Sequence, residues 1–256
     1  MSKMDLFFLL CICHIAGDFF LQTEEMAREK KTKIRVYVKH GVLYAVPYVI
    51  CGFAAYAVYG INNIRNLLLW CILSHAAIDL IKIVLEIILE KWTGKVFRKN
   101  VRAGIYLSDQ AAHILCLICG VTLYEGMLPD MPEYVSKAIL YMLYFLCLQK
   151  PANVTFKQLF SRFHADAANK TKTDGQIKEG AGAWIGNLER TLSGILILLG
   201  QFSAVGLAMT AKSVARYNEI SENPSFAEYY LIGTLYSILY TVALYCLLFR
   251  FLTVIP

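Results

Sequence analysis

The chain has 256 residues, 57% of them hydrophobic and 17% charged, with a mean hydropathy of +0.51. Soluble domains carry roughly 45–50% apolar and about 25% charged residues, so the composition excludes an ordinary water-soluble globule and points to a polytopic membrane protein. Lysine and arginine (25) outnumber aspartate and glutamate (19), giving a net charge of +6. The basic residues gather between apolar stretches, where they report topology rather than a nucleic-acid partner.

Windows of about 20 mainly apolar residues, enough to cross a bilayer, fall at 4–22, 37–60, 67–90, 104–124, 133–149, 183–210 and 228–252. They predict an all-α transmembrane bundle of about seven helices. The first window follows Lys3 and has the look of a signal peptide, but no small-residue cleavage site follows and a cut there would discard His14 and Asp18. It is expected to be the first membrane helix.

The connecting segments set the orientation. Residues 23–36 hold Arg28, Lys30, Lys31, Lys33 and Arg35; residues 91–103 hold Lys91, Lys95, Arg98, Lys99 and Arg102; residues 150–182 are again basic. Residues 61–66 carry only Arg65, and 125–132 are acidic. This alternation places the N-terminus outside and the C-terminus in the cytoplasm, with 211–227 outside despite Lys212 and Arg216. The whole chain reads as one integral membrane domain, with a four-helix part (1–124) and a C-terminal part (125–256). The polar stretch 150–182, with Pro151, Gly175, Gly180 and Gly182, is expected to be a mobile cytoplasmic segment able to recruit a partner. His164 and Asp166 lie there.

All eight cysteines fall in apolar stretches, where free thiols pack as small hydrophobes. Cys116 and Cys119 have C-x-x-C spacing, but there is no second pair and no basic neighbour to lower a thiol pKa, so packing is expected of them too.

The chemistry sits elsewhere. Ionisable groups in a bilayer core are costly and face the bundle interior, yet His14, Asp18, His40, His75, Asp79, Asp109 and His113 all lie in the first four windows. His14, Asp18 and Gln22 follow i, i+4, i+8; His75, Asp79, Lys82 and Glu86 share one face, as do Asp109 and His113. The alternating topology brings these groups to one depth near the cytoplasmic side. Imidazole and carboxylate together are the ligand set of zinc, with manganese or iron as alternatives. They suit one ion with aspartates behind the histidines, or two ions sharing a carboxylate. A proton pathway and a structural polar network are the other readings of the same residues.

Within the metal reading, Asp79, Asp109 and Glu189 are the candidate catalytic groups, and Lys82, Arg190, Gln22 and Gln110 the candidate substrate-binding groups. Lys82 and Arg190 suit a phosphate. No H-E-x-x-H, G-x-S-x-G or Walker A motif is present.

The strings His14-Ile-Ala-Gly-Asp18-Phe-Phe-Leu-Gln22, Asp109-Gln110-Ala-Ala-His113, Gly186-Asn-Leu-Glu189-Arg190, Ala211-Lys212-Ser-Val-Ala-Arg216 and Glu228-Tyr-Tyr-Leu-Ile-Gly233-Thr234 resemble a family of bacterial integral-membrane proteins classed as a domain of unknown function. That resemblance spans nearly the whole chain and implies a multi-pass protein of the bacterial inner membrane. A looser similarity, in the placing of His and Asp on membrane helices, is to membrane-bound metal-dependent hydrolases. The His-Arg pair of that group is absent, since Gly41 follows His40 and Ala76 follows His75. The leading expectation is a metal-dependent hydrolase acting on a lipid or lipid-linked phosphate. A transporter or channel for a metal ion or small solute is the rival, favoured by the helix-breaking Pro47, Gly52, Gly194, Gly200 and Gly206. A membrane sensor or scaffold working through 150–182 is the third.

Overall fold

A computed structural model describes residues 1–59, 64–126, 128, 130–160 and 181–252, except the side chains of Tyr59, 93–100 and Ala181. Its described residues are helical, with no strand among them. Three helices are long and apolar enough to cross a membrane: Ile34–Val58, Val101–Leu123 and Pro224–Phe251. Their apolar side chains mostly face outward; along one of them Val38, Val42, Val49 and Phe53 are all more than half exposed. An outer surface so apolar is compatible with membrane association. His14, Asp18, His40, His75, Asp79, Asp109 and His113 are buried.

The chain divides into two compact units, Met1–Leu143 and Tyr144–Pro256. The first begins with α1 (Lys3–Ile15), started by a capping box in which Ser2 and Asp5 satisfy each other's backbone N–H groups. It continues into a π-helical turn (Ala16–Phe20), closed by Leu21 N–H on the Ala16 carbonyl at 2.9 Å. Next comes α2 (Glu24–Glu29), a short helix inside the stretch expected to be a basic loop; Thr23 Oγ1 caps it by accepting from Met26 N–H. Then follows α3 (Ile34–Tyr59), which carries Pro47 in its interior.

Helical hydrogen bonding in α4 (Ile64–Leu123) runs through 60 residues. A straight helix would place Lys82 and Asp109 about 40 Å apart, yet Lys82 Nζ stands 2.7 Å from Asp109 Oδ2. Trp70 Nε1–H likewise donates to the Cys116 carbonyl at 3.0 Å. The helix therefore doubles back between Lys82 and Asp109, and its two arms correspond to the windows 67–90 and 104–124. Gly120 lets the arms meet, since a Cβ there would lie 2.8 Å from Trp70 Cδ1.

The boundary between the units falls in α5 (Glu133–Leu148). The second unit continues with α6 (Lys150–Leu159), α7 (Ala181–Leu198), α8 (Phe202–Ala215), α9 (Tyr217–Glu222) and α10 (Pro224–Tyr245), the last passing into a π-helical run, Cys246–Phe251. Two expectations are revised here. The stretch 150–182 opens with a helix rather than a loop, and His164 and Asp166 lie outside the described residues. The single window 183–210 is two helices, because Gly200 takes φ +72° and closes a Schellman motif: its N–H reaches the Ile197 carbonyl and Gln201 N–H the Leu196 carbonyl.

Candidate metal centre

The histidines and aspartates of the first unit meet because each helix turns one polar stripe inward. His14 and Asp18 come from α1 and its π turn, His40 from α3, His75 and Asp79 from the first arm of α4, Asp109 and His113 from its second arm. All seven are buried, none more than 9% exposed. The π turn bears on the geometry: five residues per hydrogen-bonded loop instead of four widen the helix at Asp18, and such turns recur at functional sites.

His40 Nε2 is the hub. It lies 3.2 Å from His75 Nε2, 3.3 Å from Asp79 Oδ2 and 3.5 Å from Asp18 Oδ1, while His75 Nε2 stands 3.7 Å from Asp79 Oδ2. Ligands about 2.0–2.1 Å from a tetrahedral ion stand about 3.3–3.4 Å from one another, so these spacings match a metal shell. Among the described residues two groups could hold a metal ion: Asp18, His40 and His75, and His75, Asp79 and His113. In each, the ligand atoms lie within 4.8 Å of one another. The two groups share His75.

Hydrogen bonds fix the tautomers of the other histidines. Tyr48 OH donates to the Leu10 carbonyl at 3.4 Å and so accepts from Tyr44 OH at 2.8 Å, which leaves Tyr44 OH to accept from His14 Nδ1–H at 3.1 Å. His113 Nδ1–H donates to the Asp109 carbonyl at 2.8 Å. Both rings are thereby left with a bare Nε2, and both Nε2 atoms are buried with no hydrogen-bond partner among the described residues. A bare, oriented imidazole nitrogen is a metal ligand's usual state. The Tyr44 ring also stacks on His75, with centroids 3.5 Å apart. His14 lies against His113 at 5.1 Å.

Two of the three aspartates pair with lysines. Lys82 pairs with Asp109 Oδ2, whose other oxygen is buried without a hydrogen bond among the described residues, and Lys30 Nζ lies 2.6 Å from Asp79 Oδ2. Lys30 belongs to the basic run 23–36, yet it is only 7% exposed. Gln110 Nε2 donates to Asp109 Oδ2 at 3.2 Å and approaches Asp18 Oδ2 at 3.4 Å. Gln22 is half-buried just beyond the π turn. Tyr44 and Lys30 are the two site residues that the sequence reading passed over. Tyr44 has a signal, standing four residues after His40 and four before Tyr48 on one stripe; Lys30 has none within its basic run.

Glu189 and Arg190 belong to the second unit. Glu189 pairs with Lys212 at 2.6 Å, and Lys212 also bonds Thr234 and lies over the Tyr230 ring. Arg190 is 3% exposed and donates to the Leu148 carbonyl, Asn153 Oδ1 and Asn187 Oδ1. These bonds tie the end of α5 and the start of α6 to α7. Cys116 and Cys119 are free thiols.

No curated protein and no solved structure matches the chain. Neither comparison therefore extends to the membrane-bound hydrolases. One family model, described as a protein of unknown function (DUF3307), matches residues 6–142. That segment contains all seven histidines and aspartates of the centre, while the strings at 186–190, 211–216 and 228–234 lie beyond it. With more than half of its length inside that match, the chain belongs to the DUF3307 family.

Proposed function

We propose that this protein is a metal-dependent hydrolase of the bacterial inner membrane, with about seven spans and a cytoplasmic C-terminus, acting on a lipid or lipid-linked phosphate. The observation that carries the reading is the set of 3.2–3.7 Å spacings among Asp18 Oδ1, His40 Nε2, His75 Nε2 and Asp79 Oδ2. Zinc fits the mixed imidazole and carboxylate donors best, with manganese or iron next. Asp18, His40, His75 and Asp79 would hold a divalent ion, which would supply an activated water and polarise the bond to be cut. Asp109 is the general base, because its Oδ1 is buried and has no hydrogen-bond partner among the described residues. Lys82 holds Asp109 from the other side.

The test is metal content of the detergent-purified protein by inductively coupled plasma mass spectrometry, beside a variant with His75→Ala and Asp79→Ala. One or two equivalents of zinc, manganese or iron, lost in the folded variant, are expected. A folded wild-type protein that refuses all three ions overturns the reading. It would favour a proton-coupled transporter, for which one observation speaks: the buried Lys30–Asp79 ion pair.

A further inference from the structure

Lys30 reaches the centre from an unusual place. It follows the short, Thr23-capped α2, and its neighbour Lys31 pairs with Glu86, two turns along the α4 stripe from Asp79. The Lys30 ammonium bonds the same Asp79 oxygen that faces His40 and His75. A divalent ion among those atoms draws on that oxygen too, and two cations on one carboxylate oxygen repel. Loading a metal would therefore loosen Lys30 from Asp79, while the Lys31–Glu86 pair would keep the segment docked.

Charge balance says what Lys30 turns to. Histidines that ligate a metal are neutral, so the centre has three carboxylates (Asp18, Asp79, Asp109) against two ammonium groups (Lys30, Lys82). Its net charge of minus one becomes plus one when a single divalent ion enters. An uncompensated charge in a buried site is costly, so the loaded centre calls for an anion.

We propose that Lys30 is an anion-binding residue of the metal-loaded centre, moving from Asp79 to a phosphate oxygen once the ion takes Asp79. The proposal rests on the metal reading above and adds an order of events: metal first, then anion. The recognised chemistry is a tetrahedral oxyanion, as free phosphate or as the phosphate of a lipid.

The experiment uses the full chain in detergent and inorganic phosphate as probe. Phosphate affinity is measured by equilibrium dialysis on metal-loaded and chelator-treated protein, with metal content determined on the same samples. The wild type is expected to bind phosphate at least tenfold tighter when loaded. Lys30→Gln keeps a donor toward Asp79 and removes the charge, so it should retain the metal and lose about tenfold in loaded-state affinity. Lys30→Arg should stay within a few-fold of wild type. Lys33→Gln, which removes a surface pair with Glu29, should change nothing. Lys30→Gln with metal and phosphate affinity both as in wild type overturns the anion role, as does loss of metal in that variant. Wild type without metal overturns instead the reading beneath it. Phosphate on a dialkyl glycerol carrier, compared with free phosphate, then separates the two sources.

Discussion

A histidine becomes a ligand when something else decides which nitrogen carries its proton. For His14, which stacks on His113 but lies in neither of the two three-residue groups, that decision passes through three donors in series, from the Leu10 carbonyl to Tyr48, Tyr44 and the ring. Tyr44→Phe cuts the series at its middle and keeps the ring that stacks on His75. Partners behind a metal ligand are worth about 10–100-fold in affinity, so this variant should bind zinc at least tenfold more weakly in competition with a chromogenic chelator, with its helical content unchanged. Affinity equal to wild type would detach Tyr44 from the centre and reduce the hydroxyl chain to packing. The same logic governs His113, but there the acceptor is the backbone carbonyl of Asp109. No side-chain substitution removes that bond, which makes Tyr44 the informative position.

The centre exists only if the helices that carry it approach closely, and one crossing is held by the absence of a side chain. At Gly17 a Cβ would lie 2.7 Å from Tyr44 Cδ2 and 3.0 Å from Tyr44 Cα; the second atom is backbone and cannot move aside. Gly17→Ala should therefore push the π turn off α3 and cost about 1–3 kcal/mol, seen as a lower midpoint of thermal unfolding followed by tryptophan fluorescence. Gly41, on the same helix as Tyr44, has open space around it, so Gly41→Ala should be neutral or slightly stabilising. Equal effects of the two would show that the crossing is looser than these distances. Much at this scale was legible beforehand. The i, i+4 spacing of His14 with Asp18, His75 with Asp79 and Asp109 with His113 marked three inward stripes, because helical periodicity alone sets which residues share a face. The π turn was not legible, since nothing in Ala16–Phe20 signals a wider hydrogen-bonded loop. Lys30 was hidden for a related reason: a lysine among lysines reads as solvated, and only the path of α2 takes it inward. Gly200 stood among the candidate helix breaks, but nothing in the sequence set it apart from Gly194, which lies inside α7 without ending it.

At the scale of the whole molecule, three helices among the described residues are long and apolar enough to cross a membrane, against the seven spans proposed. The first arm of α4 is not one of the three, yet it has the pattern of a span. Its Asp79, Glu86 and Lys82 face inward to Lys30, Lys31 and Asp109. Leu73, Leu80, Ile81 and Ile87 on the same arm are each about half exposed or more. The charges of this arm are paired and turned away from the apolar outer face. Paired and inward, they cost far less than isolated charges at the bilayer centre. The first arm should therefore span, which places residues 61–66 and 91–103 on opposite sides of the membrane; with only the three apolar helices spanning, both segments lie on the same side. Alkaline phosphatase is active only when exported, and green fluorescent protein only when retained in the cytoplasm. Fusions made after Asn63 should favour the first reporter, and fusions after Gly94 the second. The same reporter active at both positions would leave the arm out of the bilayer, and with it the expected cytoplasmic depth of His75 and Asp79. A site held at that depth can take a phosphate from the inner leaflet without drawing the rest of the lipid into water.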